Sequence, residues 1–124
     1  PGQCRGTRSA MNPAGAAAED QALQYLQQAG LILVQRNYRS RFGEIDLIMR
    51  DGRTLVFVEV KARSGNGFGG SAHAITAAKI QRLNATAELY LASQRPTPPC
   101  RFDAVLVQGS RPARIDWLKN IIQV

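Results

Sequence analysis

The stretch from Gly43 to Arg63 constrains this chain more than any other. Two apolar runs, Gly43–Arg50 and Thr54–Arg63, flank the dipeptide Asp51-Gly52. That dipeptide between strand-like runs is among the strongest local signals for a β-hairpin. Leu55-Val56-Phe57-Val58 is apolar at consecutive positions, which only a strand buried on both faces tolerates, so this strand is expected to be central. Charge returns only at its far end, as Glu59 and Lys61. With Asp51-Gly52 as the loop, Arg50 is expected opposite Arg53, Ile48 opposite Leu55, Asp46 opposite Phe57 and Glu44 opposite Glu59. Side chains alternate between faces along a strand, so Glu44, Asp46, Glu59 and Lys61 all project from one face. Asp46 and Glu59 are then diagonal neighbours, roughly 7–8 Å apart at the backbone, and both carboxylates reach one cation. Lys61 lies beside it. Glu44 directly across from Glu59 is unfavourable unless a cation lies between them. A bulged loop would displace the pairing by one and spoil the alignment. An amphipathic strand end with Glu59 and Lys61 facing solvent has the same periodicity, and the pattern alone does not separate the two.

The remainder of the chain supplies elements to cover this hairpin. Residues 1–12 are polar and aperiodic and read as a flexible N-terminal arm; 13–124 read as a single domain. A helix is expected from Pro13 to about Ala29, stopped by Gly30, with Ala22, Leu23, Leu26 and Ala29 as its apolar stripe. Glu19 falls in line with that stripe. It is either paired on the buried side or a helix-start acid that snorkels outward. Leu31–Asn37 is a first strand. Ser64–Gly70, with four glycines, is a loop, and Ser71 to about Ala92 a second helix ended by Pro96, Pro98 and Pro99. Arg101-Phe102-Asp103 introduces a buried strand at Ala104–Val107. From Arg114 onward, Ile115, Leu118 and Ile122 fit a helix, whereas Ile115–Leu118 equally fits an edge strand. Hairpin strands followed by a helical crossover imply an α/β fold: a mixed four- to five-stranded sheet flanked by helices, in the order α-β-β-β-α-β.

Charge then narrows the function. Sixteen Lys and Arg against nine Asp and Glu give a net charge of +7 over 124 residues, and thirteen of those cations are arginine. Residues 43–63 hold four acids and four bases, so the entire excess lies elsewhere. An acidic patch in a basic surround suits metal-assisted phosphodiester chemistry, in which the surround holds the backbone and the acids hold the cation. Other classes fall away. The longest aliphatic run, Leu31–Val34, is far short of a membrane span, and no helix sets a Lys/Arg face against large apolar residues. Pro1–Ala10 has no secretory pattern, and Cys4 and Cys100 lack metal spacing, so they read as free thiols of a cytoplasmic protein. His73 is the only histidine. The glycines before it lack a nucleotide-loop GK[ST] ending.

Gly43-Glu44-Ile45-Asp46-Leu47-Ile48, followed by Phe57-Val58-Glu59-Val60-Lys61-Ala62-Arg63, resembles the acid, acid-x-Lys signature of PD-(D/E)xK nucleases. Those nucleases have the restriction-endonuclease-like fold and include archaeal-type Holliday junction resolvases. With Ala18-Glu19, Arg36-Asn37 and Arg101-Phe102-Asp103 added, the chain is more closely similar to the YraN-like bacterial proteins, uncharacterised protein family 0102. The resemblance implies a restriction-endonuclease-like fold and a metal-dependent endonuclease-like activity on DNA, with branched or single-stranded forms favoured over specific sequences. It implies Glu19, Asp46, Glu59 and Lys61 as catalytic residues, Asp46 and Glu59 as ligands of Mg²⁺ or Mn²⁺, and Lys61 as the reactive lysine. Ile45 stands where the motif's name has proline. The alternative is a catalytically inactive nucleic-acid-binding or assembly module with the same fold.

Candidate contacts for a nucleic acid lie on three segments. Arg36, Arg39 and Arg41 interleave with Tyr38 and Phe42, a pattern that grips phosphate and stacks on bases, or else decorates a solvated loop. Lys79 and Arg82 share a face of the second helix, and Lys79 is placed toward the site. A surface charge pair accounts for them equally well. Arg63 follows Lys61 on the third strand. Trp117 reads as a packing residue. A homodimer would suit a branched substrate.

Overall fold

The computed structural model describes residues 13–63, 77–109 and 114–122. Seven elements follow in the order α1 (Pro13–Gln28), β1 (Ile32–Ser40), β2 (Gly43–Asp51), β3 (Thr54–Arg63), α2 (Ala77–Leu91), β4 (Cys100–Gln108) and β5 (Arg114–Leu118). The strands form one sheet in the order β1-β2-β3-β4-β5. Only β3 and β4 run parallel, which requires the crossover that α2 supplies. The fold is therefore the mixed α/β sheet flanked by helices expected from the sequence, with five strands. The arm at 1–12, Cys4, the Ser64–Gly70 loop, the expected Ser71 start of the second helix, His73 and the side chain of Arg63 lie outside the described residues.

Each helix covers one face. Ala18, Ala22 and Leu26 of α1 pack on Leu47, Met49, Val56, Val58, Val105 and Val107. Leu83 and Ala87 of α2 pack on Ile45, Ile48, Leu55, Phe57 and Phe102. Strand β3 thus gives Val56 and Val58 to one core and Leu55 and Phe57 to the other, which is why its sequence has no polar alternation. Each such side chain, when fully buried, contributes about 1.5–3 kcal/mol. Aromatic rings knit the α2 side: Phe57 lies 5.2 Å from Phe102 and 6.1 Å from Tyr90, and Tyr38 lies 5.2 Å from Tyr90.

The hairpin forms, but its register corrects the expected one. Asp51 pairs with Thr54, Arg50 with Leu55, Ile48 with Phe57 and Leu47 with Val58. The loop residues are Gly52-Arg53 rather than Asp51-Gly52. Gly52 has φ 66°, and a glycine at the first loop position is what a type II′ hairpin turn requires. Centring the turn one residue later slides the pairing by two, so the residues of the paired stretch from Leu47 to Val58 keep their faces. Glu44 is consequently not opposite Glu59. It pairs across β1 with Arg39, whose Nε lies 3.6 Å from its carboxylate.

Other boundaries moved for identifiable reasons. Strand β1 runs on past Asn37 to Ser40 because Asn37 takes φ 51°, a left-handed conformation that asparagine tolerates, and the ladder continues beyond it. Helix α2 ends at Leu91, ahead of the prolines. The ambiguous tail is a strand: Ile115 and Trp117 pair with Val107 and Val105 of β4.

One polar group anchors this end of the sheet. Asp103 is fully buried, and its two oxygens accept bonds from Arg101 Nε (3.0 and 3.2 Å), Trp117 Nε1 (2.9 Å) and the Asn120 N–H (2.9 Å). Arg101 also reaches Asp51 at 3.1 Å. Strand β4, strand β5 and the segment after it are tied through the Asp103 carboxylate, and Arg101 extends the tie to Asp51 at the end of β2. Trp117 is a packing residue, as expected, edge-on to Tyr25 at 6.3 Å. Cys100 is a free, exposed thiol.

Candidate functional site

The ladder between β2 and β3 stops at Leu47 and Val58. Beyond it the strands part, and the next residues on each are Asp46 and Glu59. The backbone N–H of Val60, released from strand pairing, donates to Asp46 Oδ2 at 2.8 Å. A side chain has replaced a strand carbonyl, fixing Asp46 beside Glu59.

Glu19 approaches from α1. It is 4% exposed, so the buried alternative of the two read from the sequence holds. Its Oε1 receives Asn37 Nδ2 at 3.3 Å and the Arg36 guanidinium at 3.5 Å. Arg36 also binds Asp20 at 2.9 Å. The left-handed turn at Asn37 lets consecutive residues aim at one acid, which a regular strand forbids. Arg36 Nε and Asn37 Oδ1 are buried there without a partner, a cost of about 1–3 kcal/mol for each such group. A left-handed backbone residue and two unsatisfied polar atoms are thus concentrated around one acid.

Two ammonium groups converge on Glu59, whose side chain is 9% exposed. Lys79 Nζ, from α2, lies 2.8 Å from Oε2, and Lys61 Nζ lies 3.6 Å from the same oxygen. Lys79 therefore does more than decorate a helix surface. The wall that carries it is held by a short chain of hydroxyls. Ser40 Oγ accepts the Phe42 N–H at 3.0 Å and meets Thr86 Oγ1 at 3.3 Å, and Thr86 donates to the Arg82 carbonyl at 2.8 Å. Gly43, at φ 149°, lets β2 start directly under Arg82 and Thr86.

Gly43, Glu44, Asp46, Glu59, Val60, Lys79, Arg82 and Leu83 line a cleft of about 360 Å³. Asp46 is the electrostatic centre. Burial, then the charge of Glu59, pushes its carboxyl from an ordinary 3.8 up to about 7. The Val60 N–H opposes the rise, and Glu19 and Glu44 add to it. Burial is the larger cause, and the three neighbouring carboxylates act in the same direction.

Of the remaining predicted residues, Arg82 shares the cleft, whereas Arg36, Arg39 and Arg41 are not among the residues that line it. Arg36 is turned inward on Glu19 and Asp20. Arg39 pairs with Glu44. Arg41 sits over the Phe42 ring at 4.8 Å in the β1–β2 turn. Arg82 is on the cleft wall one turn beyond Lys79. Asn37 was visible in the sequence only as half of the Arg36-Asn37 pair. Its tolerance of positive φ was the signal for its role, and nothing in the periodicity pointed to it. The Val60 N–H has no sequence signature.

Among the described residues, no group of three or more His, Cys, Asp or Glu is arranged to hold a metal ion. The donor chemistry nevertheless suits a hard cation. Mg²⁺ and Mn²⁺ take oxygen ligands, and Mg²⁺ keeps several waters and needs only one or two carboxylates. Asp46 and Glu59 are two such donors, and the charge of Glu59 helps hold the Asp46 carboxyl above its ordinary range. Among the described residues no helix is long and apolar enough to cross a membrane.

Comparison with known proteins agrees with the fold's extent. The family described as Uncharacterised protein family UPF0102 matches residues 18–107. A UPF0102 protein of Nitrosomonas europaea is 56% identical over 106 residues, covering 86% of this chain and 90% of that one. One from Janthinobacterium sp. is 51% identical over 116 residues, 94% and 92% of the two chains. A third, from Cupriavidus metallidurans, is 54% identical over 107 residues, 86% and 78%. The matched span includes Glu19, Asp46, Glu59, Lys61 and Lys79. This chain belongs to UPF0102.

Proposed function

We propose that the protein is a metal-dependent nuclease that hydrolyses phosphodiester bonds in DNA, built on the restriction-endonuclease-like plan and related to the Holliday junction resolvases. The observation that carries the reading is the meeting of Asp46, Glu59 and Lys61 where β2 and β3 part, with Asp46 locked by the Val60 N–H at 2.8 Å. Asp46 and Glu59 would hold Mg²⁺ or Mn²⁺. When bound, such an ion supplies a water of lowered pKa and neutralises phosphate charge.

The chain's own groups do the rest. Glu19, fixed through Oε1 by Arg36 and Asn37, bounds the site from α1 and adds negative charge that favours a cation. Lys61, on a flexible stem beside Glu59, orients the attacking water or stabilises charge on the phosphate. Arg82 and Lys79 lie on the cleft wall within reach of a backbone phosphate.

The test is a cleavage panel of linear, flapped and four-way DNA in Mg²⁺ or Mn²⁺. The purified protein nicks a branched form, and Lys61→Ala abolishes nicking. Undiminished cleavage by that variant assigns the activity elsewhere.

A second reading is a catalytically silent nucleic-acid-binding or assembly module. The 2.8 Å pairing of Glu59 with Lys79, which satisfies the acid internally, favours it. It predicts salt-sensitive DNA binding with no cleavage under any divalent ion.

A further inference from the structure

The geometry around Glu59 points to Lys79 as a built-in counter-ion that occupies the place of the divalent cation until that cation arrives, and then moves to a phosphate. The inference rests on the metal-site reading above and assigns a role that the acid, acid-x-Lys pattern does not include.

Three observations carry it. Lys79 Nζ is the nearer of the two ammonium groups on Glu59, at 2.8 Å against 3.6 Å for Lys61, and both address Oε2. Glu59 is a buried carboxylate and must be paired to remain charged; its side chain is 9% exposed, whereas that of Lys79 is 34% exposed. The acid is fixed, and the lysine has solvent to retreat into. Lys79 and Arg82 also line the same cleft as Asp46 and Glu59.

A cation that takes Glu59 as a ligand competes with Lys79 for the same oxygen. A divalent ion and an ammonium about 4 Å apart repel by several kcal/mol at an effective dielectric of ~20. Lys79 has a four-carbon stem and a compact charge, and its partly exposed head group can leave Glu59 without unpacking the helix. A non-bridging oxygen of a phosphodiester bound along that wall, which Arg82 also lines, gives the displaced ammonium a new anionic partner. Exchange of partners between empty and loaded states keeps the carboxylates neutralised in both. It also makes ion binding and phosphate binding mutually supportive.

Mn²⁺ titration by calorimetry without nucleic acid reads this directly, on the wild type and on Lys79→Met and Lys79→Gln. Circular dichroism checks folding of both variants. Removing the competitor makes Mn²⁺ binding tighter, by about three- to tenfold, in both variants. Affinity for a phosphodiester oligonucleotide, measured with Mn²⁺ saturating, falls in the same proteins. Equal or weaker Mn²⁺ binding by the variants overturns the counter-ion role while leaving the metal site intact. Absence of Mn²⁺ binding in all three proteins overturns the metal reading itself, and the inference with it.

Discussion

Asp46→Asn should make the folded protein more stable, although it removes a residue from the centre of the site. The Asp46 carboxyl is pushed to about 7 by burial and by Glu59, against 3.8 ordinarily. Its folded-state pKa is therefore raised, and the fold favours the protonated form. The stabilising proton is fully present below about pH 4 and is lost as pH rises toward and through 7. Across that window the wild type weakens by about 1.4 kcal/mol per pH unit, with a ceiling of ~4 kcal/mol. Asparagine does not titrate, keeps an oxygen for the Val60 N–H and offers an amide to Glu59. Allowing for solvent screening, the expected gain at pH 8 is about 2 kcal/mol, or roughly 6–10 °C in Tm for a chain of this size. The assay is chemical denaturation in EDTA at pH 4, 6 and 8. The gain of Asp46→Asn over wild type should be near zero at pH 4 and grow to a plateau above pH 7. Millimolar Mn²⁺ should then shrink it by stabilising only the wild type. A gain independent of pH, or a loss at pH 8, would refute the account of Asp46 as a carboxyl raised by burial and by Glu59.

Three further outcomes follow from other parts of the structure. Asp103→Ala leaves Arg101, Trp117 Nε1 and the Asn120 N–H without their acceptor and should cost about 3–5 kcal/mol, read as a lower denaturation midpoint. Gly52→Val places a β-branched residue at φ 66° and should destabilise by more than about 1 kcal/mol, whereas Arg53→Ala in the same loop should be nearly neutral. Asn37→Ala removes one of the two groups on Glu19 Oε1 and the residue that tolerates φ 51°. It should lower Mn²⁺ affinity along with stability, while Arg41→Ala changes neither.

The fold was legible where the sequence states a periodicity that only one arrangement satisfies. The doubly apolar Leu55–Val58 run announced the central strand, and the Asp51-Gly52 neighbourhood announced the hairpin. The register was misplaced by two because an Asp-Gly dipeptide is read as both loop residues, whereas here Gly52 takes the first position alone. A slip of two preserves alternation along the paired stretch, and Asp46 still lies beside Glu59; beyond that stretch alternation breaks, since Ile45 and Leu47 enter opposite cores. The tail was undecidable locally, since Ile115 and Trp117 become a strand only by pairing with Val107 and Val105, which are close in space and not in spacing. Glu19 could be placed on the apolar stripe from sequence. Its partners could not, because both depend on a left-handed residue in the middle of a strand. Lys79 was placed toward the site, but its 2.8 Å contact with Glu59 depends on how α2 crosses the sheet, a tertiary fact with no local signature.

The central claim is that Asp46 and Glu59 together form a divalent-cation site, and free Mn²⁺ measured by electron paramagnetic resonance tests it most directly. At pH 7.5 and without nucleic acid, the wild type should remove Mn²⁺ from the free signal in a saturable way, and the folded Asp46→Asn, Glu59→Gln double variant should leave the signal of buffer. Equal Mn²⁺ uptake by the two proteins would contradict the account.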